Sequence, residues 1–122
     1  MGLWQKTMLF SLGGCLYMGL ELLWRRRSHG TMFLAGGLCF TLLGQIRRFR
    51  ANPILKAGIG AGAITLVELG AGMLWNRDHR IWDYRDRPGN FRGQICPLFT
   101  LLWIPVSAAG MALHRLLTGM LP

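Results

Sequence analysis

Four long blocks of apolar residues, separated by arginine-rich segments, constrain this chain more than any other feature. The blocks are Met8–Trp24, Gly30–Ile46, Ala57–Trp75 and Ile95–Leu113. They contain 17, 17, 19 and 19 residues, and Glu21 and Glu68 are the only charged residues within them. A hydrocarbon core about 30 Å thick needs about 17–25 apolar residues per helix. The fold class predicted is therefore all-α, an integral membrane four-helix bundle, since a soluble domain of 122 residues does not carry this much apolar sequence.

The block boundaries predict where the helices of this single transmembrane domain (1–122) begin and end. The predicted helices cover about 8–24, 30–46, 54–75 and 95–117, with an ordered interfacial loop at 76–94. Within this loop we expect a turn at Pro88-Gly89-Asn90, and a short helix at headgroup level is the alternative to an irregular loop. Asn52 is expected to cap the third helix, with Pro53 at its first position. The short links also predict helical hairpins, and the acid and tryptophan near the end of blocks one and three suggest that the hairpin is repeated.

The net charge of +9 comes from arginines that cluster at the block ends. Because lipid phosphates lie at that level, the expected partner is a bilayer with anionic headgroups, and nucleic acid is not expected. Loops 25–29 and 76–94 hold eight of the 14 basic residues. The positive-inside rule therefore favours these two loops in the cytoplasm, with the protein in the cytoplasmic (inner) membrane.

Familiar enzyme and cofactor motifs are absent from the sequence. It has no Walker motif, no nucleophile elbow and no HExxH pair. The three histidines lie on different segments, and the three cysteines lack the spacing of a metal site. We therefore expect no enzymatic activity, no catalytic residue, no metal and no cofactor.

Glu68 is the strongest candidate functional residue, because an ionisable group at membrane depth must be paired or protonated. Glu21 is the second acid, and Arg25 one turn later could pair with it. The other candidate binding residues are Gln94, Asn90, Trp82, Asp83 and Tyr84. Together these groups could bind a cation, relay a proton or hold a polar headgroup. Alternatively, they could form a polar network that holds the helices together.

The spacing of glycines in the third block predicts that its helix packs closely against another helix. Gly58 and Gly62 form a GxxxG pair, and Gly70 continues the same helix face. Small faces let backbones approach closely, either within one bundle or between protomers. A homo-oligomer is therefore expected.

Two segments resemble a known family. These are Tyr17–Leu43 and Trp82–Trp103, the second with the residues WDY, Asn90, GQIC, Phe99 and Trp103. They resemble the small bacterial membrane proteins described as ABC-transporter type IV, or CmpB-like. Arg85, Phe91 and Arg92 depart from the family pattern and make the loop more basic.

This resemblance implies a four-helix membrane protein with a role in transport and an unknown substrate. Because the chain has no nucleotide-binding motif, a partner subunit would have to supply energy coupling. The alternative function is a non-transporting structural or lipid-interacting scaffold that oligomerises through its glycine-rich helix faces. An arginine beside Glu68 in a dry bundle would favour the scaffold, whereas a wet cavity there would favour transport.

Overall fold

The computed structural model describes residues 2–26 and 29–120, except for the side chains of Trp24 and Arg25. These residues form four helices, α1 (Leu3–Arg25), α2 (Gly30–Ile46), α3 (Pro53–Trp75) and α4 (Pro97–Met120), and no strand. The predicted all-α class is confirmed for this part of the chain. The predicted ion pair between Glu21 and Arg25, and residues 27–28 of the first loop, lie outside what the structure describes.

Local capping explains the helix boundaries. The Asn52 Oδ1 accepts a hydrogen bond from the Leu55 N–H at 2.7 Å, with Pro53 at the first helical position, as predicted. α1 begins five residues before the predicted start. α4 begins at Pro97, two residues after the predicted start, because the Phe91 N–H donates to the Ile95 carbonyl at 2.9 Å and keeps Ile95 in the loop.

The helices pack mainly as two hairpins. α1 packs along α2, and α3 packs along α4, while α2 also contacts both helices of the second hairpin. Glycines allow the close approach of α1 and α2, since a Cβ on Gly13 or Gly36 would collide with Phe40 or Tyr17. The hairpin arrangement agrees with the short predicted link, and duplication of the hairpin stays a prediction.

The outer surface of the helices is strongly apolar. Leu23, Leu66 and Leu101 are 85%, 70% and 63% exposed. α3 and α4 are long and apolar enough to cross a membrane, whereas α2 is apolar but has 17 residues. Large exposed apolar surfaces of this kind mark contact with lipid or with another protein.

The segment between α3 and α4, residues 76–96, folds back over one end of the helices. It consists of turns and one isolated bridge, including the predicted turn at 88–90, where Gly89 has a φ of +70°. Trp82 and Tyr84 are buried in a cluster with Met32 of α2 and Ala71 of α3. The loop is therefore an ordered cap over this end of the protein rather than an interfacial helix.

Candidate functional site

Glu68 lies at the centre of the candidate site and is only 6% exposed. The Tyr84 hydroxyl donates to its Oε2 at 3.0 Å, and the Trp103 Nε1 lies 3.5 Å from its Oε1. The loop and α4 therefore both supply donors to an acid on α3. A buried carboxyl needs such donors because desolvation of an unpaired charge costs several kcal/mol.

Tyr84 is held in place by contacts of its ring and of its backbone. Its ring stacks on Phe99, with the centroids 4.7 Å apart and the planes 7° from parallel. The guanidinium of Arg87 lies over the Phe99 ring at 5.6 Å, which adds a cation–π contact. The Tyr84 N–H donates to the Gly93 carbonyl at 2.9 Å, so both its backbone and its ring are fixed relative to Glu68.

Glu21 lies in the wall of a cleft of about 390 Å³ beside this acid. Four aromatic rings share the wall: Tyr17, Tyr84, Phe99 and Trp103. The remaining wall is apolar and is formed by Leu20, Leu23, Leu102, Pro105 and Val106. We call this space the aromatic cleft. Because exposed leucines of α1 form its rim, it opens towards the outer surface of the helices.

The side of Glu68 that faces α2 is closed. Met32, Ala35 and Cys39 pack around it, and the space left between them is too small for a water molecule. Glu68 does not line the aromatic cleft, because Tyr84 lies between them. Tyr17 lines both the aromatic cleft, with Glu21, and the closed space beside Glu68. The two acids therefore share an aromatic neighbourhood, with Glu21 in the cleft wall and Glu68 behind it.

Gln94 and Trp82 lie near one another but bind a different residue, Asn76, which is fully buried. The Asn76 Nδ2 donates to the Trp82 carbonyl at 2.7 Å and to the Gln94 Oε1 at 2.8 Å. The Gln94 Nε2 donates back to the Asn76 carbonyl at 2.8 Å. The Trp82 Nε1 donates to the Gln94 carbonyl at 2.9 Å. This network fixes the loop to the end of α3 and so positions Tyr84.

Asn90 and Asp83 lie on the outer side of the loop, away from this network. The Asn90 Nδ2 donates to the Arg87 carbonyl at 2.9 Å, and its Oδ1 accepts from the Gly93 N–H at 2.9 Å. The Arg85 guanidinium donates to both oxygens of Asp83. This hydrogen bonding lowers the pKa of Asp83 to about 2. Asn90 therefore shapes a turn, and Asp83 stays ionised on the surface.

The predicted glycine face points away from the other helices. A Cβ added to Gly58, Gly62 or Gly70 would meet nothing within 4 Å, so these glycines do not pack against any other part of residues 2–26 and 29–120. Gly60 and Gly72 make the close contacts of α3 instead, since a Cβ there would collide with Ser107 and Gln94. The packing within the bundle that was predicted for the GxxxG face is therefore made by other glycines, and a contact between protomers stays a prediction.

Asn76, Trp103 and Tyr17 were not among the predicted site residues, although Tyr17 and Trp103 belong to the segments that carry the family resemblance. Asn76 gave a weak signal as an amide directly after Trp75, where the α3 backbone ends. In residues 2–26 and 29–120, no group of three His, Cys, Asp or Glu side chains has the arrangement of a metal site.

Comparison with known families agrees with the resemblance carried by Tyr17–Leu43 and Trp82–Trp103. The family described as "Putative ABC-transporter type IV" matches residues 8–120, which include all four helices except the first residues of α1. Comparisons with curated proteins and with solved structures gave no match. Because the match covers almost the whole chain, the protein belongs to the Putative ABC-transporter type IV family.

Proposed function

We propose that the protein is a four-span helical-bundle membrane protein associated with transport, and that its aromatic cleft binds an apolar organic cation. Membership of a transporter-type family alone supports the first part, because the space beside Glu68 is too small for water and so is not the wet cavity that would favour transport. One observation carries the second, namely the buried carboxyl of Glu21 among four aromatic rings in a cleft of about 390 Å³.

The chemistry of the wall favours a positively charged apolar ligand. The faces of aromatic rings attract cations, by about 0.5–2 kcal/mol per contact depending on desolvation. A carboxylate in a partly buried wall adds a charge interaction that water screens only weakly. The rim at Leu20 and Leu23 lies on the outer surface, so an apolar ligand could enter from the lipid.

In this proposal Glu68 acts as a positioning residue. Its Oε2 holds the Tyr84 hydroxyl, and the Tyr84 ring forms part of the cleft wall. Energy coupling, if transport is active, is proposed to come from a partner subunit.

The second candidate function is a membrane scaffold, and the exposed face of Gly58, Gly62 and Gly70 favours it. A small-residue face without an intrachain partner suits a contact between protomers. A homo-oligomer is compatible with both functions, so ligand binding has to distinguish them.

Cation binding can be measured on the purified protein in lipid nanodiscs. The probe is benzyltrimethylammonium, and the control ligand is neopentylbenzene, which has the same shape and no charge. We expect Glu21→Gln to weaken binding of the cation about tenfold or more and to leave the neutral ligand unchanged. Glu68→Gln should weaken binding of the cation less than Glu21→Gln does, because glutamine retains a hydrogen-bond acceptor for the Tyr84 hydroxyl.

Asp86→Asn is the matched control, because it removes one carboxylate from the exposed part of the loop. It should bind both ligands as the unmodified protein does. If the cation and its neutral isostere bind equally well, or if Glu21→Gln changes nothing, the cleft is not a cation site and the scaffold is favoured.

The four-span topology predicts which cysteines an impermeant maleimide can reach. In a cysteine-free background, Arg50→Cys and Arg87→Cys should label from opposite sides of the membrane, with Arg87→Cys on the cytoplasmic side. Leu66→Cys should stay unlabelled, although Leu66 is 70% exposed in the isolated chain, because lipid would cover it. Labelling of Leu66→Cys in intact membranes, or labelling of both loops from one side, would contradict the topology.

A further inference from the structure

A second cavity lies at the end of the helices opposite the loop. Its volume is about 660 Å³, and it lies between the start of α1, the end of α2 and His114 of α4. Its polar lining residues are Lys6, Thr7, Thr41, Gln45, Arg48 and His114. It shares no lining residue with the aromatic cleft, and we call it the basic pocket.

Charge is strongly segregated along the molecule. The five acidic residues of the sequence are Glu21, Glu68, Asp78, Asp83 and Asp86, and they lie in the loop or in the second halves of α1 and α3, at the same end of the molecule. The opposite end carries only basic residues: Lys6, Arg47, Arg48, Arg50, Lys56 and Arg115. In the described part of the chain, neither Lys6 nor Arg48 forms an ion pair. An anion in the basic pocket would therefore meet cations without competition from a nearby carboxylate.

His114 lines the basic pocket in an orientation that a hydrogen bond from Arg47 fixes. The Arg47 Nε donates to the His114 Nδ1 at 3.0 Å, and the same guanidinium donates to the Thr118 hydroxyl at 3.1 Å. Because Nδ1 accepts this bond, the neutral ring carries its proton on Nε2. Nε2 lies against Gly44, another lining residue, where an added Cβ would collide with it. Arg47 therefore orients His114, whereas Lys6 and Arg48 line the cavity themselves.

An apolar groove begins beside the basic pocket. The backbones of α1 and α4 do not pack closely together, and the gap between them is a groove of about 510 Å³. Its wall is lined by apolar residues such as Leu12, Leu16, Val106 and Leu113. Phe40 lies between the groove and the basic pocket. It lines the groove, and its ring centroid lies 5.2 Å from that of His114, which lines the pocket.

We propose that the basic pocket and this groove bind one anionic phospholipid, with the phosphate at Lys6, Arg48 and His114 and an acyl chain between α1 and α4. The positive charge matches the phosphate, and the apolar groove that starts at the pocket matches the chain. A freely soluble phosphate would use the pocket and leave the groove without a ligand.

The experiment is native mass spectrometry of the intact protein, released from detergent that contains equal amounts of phosphatidylglycerol and phosphatidylcholine. We expect retention of one phosphatidylglycerol in preference to phosphatidylcholine. The double variant Lys6→Gln/Arg48→Gln should bind phosphatidylglycerol about 30-fold more weakly, since two basic contacts contribute about 1 kcal/mol each. Both side chains are exposed, so this variant is expected to fold normally.

The matched control is Arg77→Gln/Arg80→Gln, which removes two exposed arginines at the opposite end. It should retain the lipid. Equal loss in both double variants would show non-specific attraction and overturn the site. Displacement of the lipid by millimolar inorganic phosphate would show a site for a free anion and would equally overturn the proposal. The groove shares residues such as Tyr17, Leu20 and Trp103 with the aromatic cleft, but none of the four substituted residues lines that cleft and no organic cation is added. The outcome therefore does not depend on whether the cleft binds a cation.

Discussion

Replacing Asn76 by alanine is expected to lower the free energy of unfolding by about 3 kcal/mol or more. The side chain is fully buried and bonds to four groups of the loop: the Trp82 carbonyl, the Gln94 Oε1 and the N–H groups of Ile81 and Trp82. Each buried group left without a partner costs about 1–3 kcal/mol. The loop should then separate from the end of α3, and Tyr84 should lose its contact with Glu68.

Unfolding in a graded series of denaturing detergent, followed by tryptophan fluorescence, measures this change. Asn90→Ala is the matched control, because its amide also makes three hydrogen bonds within the same loop. Asn90 is partly exposed, so water can replace its bonds, and a loss of about 1 kcal/mol or less is expected. Equal losses for the two variants would show that Asn76 does not anchor the loop.

Local features of the fold could be predicted from the sequence because neighbouring residues determine them. The Asn52–Pro53 start of α3 and the turn at 88–90 both follow from backbone preferences. α2 was predicted with its observed bounds because a polar or charged link limits the apolar block at each end.

Contacts between distant residues could be predicted only in part. The loop aromatics were expected near Glu68, and Tyr84 does bind it. Gln94 was expected there too, but it bonds to Asn76, because the path of the loop backbone decides which amide reaches which partner. The choice between Gly58 and Gly60 as the packing residue depends on how α3 is rotated about its axis, which no local signal determines in a helix with glycines on several faces.

Leucine at Gly60 is expected to prevent stable folding, whereas leucine at Gly58 is expected to leave the monomer intact. A Cβ on Gly60 would collide with the Ser107 hydroxyl and lie 2.8 Å from the Leu43 Cδ2, so α3 would have to move away from both α2 and α4. Overpacking of this kind costs about 1–3 kcal/mol or more even for smaller additions. At Gly58 the added side chain would enter open space, where a change within about 0.5 kcal/mol is usual.

The same pair of variants tests whether the exposed glycine face joins protomers. Both residues lie on α3 two positions apart, so helix propensity changes equally and only the direction of the side chain differs. If the GxxxG face is an interface, Gly58→Leu should keep its unfolding midpoint in the monomer and lower the oligomer fraction measured by light scattering after size exclusion. Gly60→Leu should lose the folded state itself, with oligomer and monomer disappearing together. If Gly58→Leu keeps the full oligomer, the interface lies elsewhere. If Gly58→Leu unfolds as readily as Gly60→Leu, α3 is rotated so that Gly58 faces the bundle.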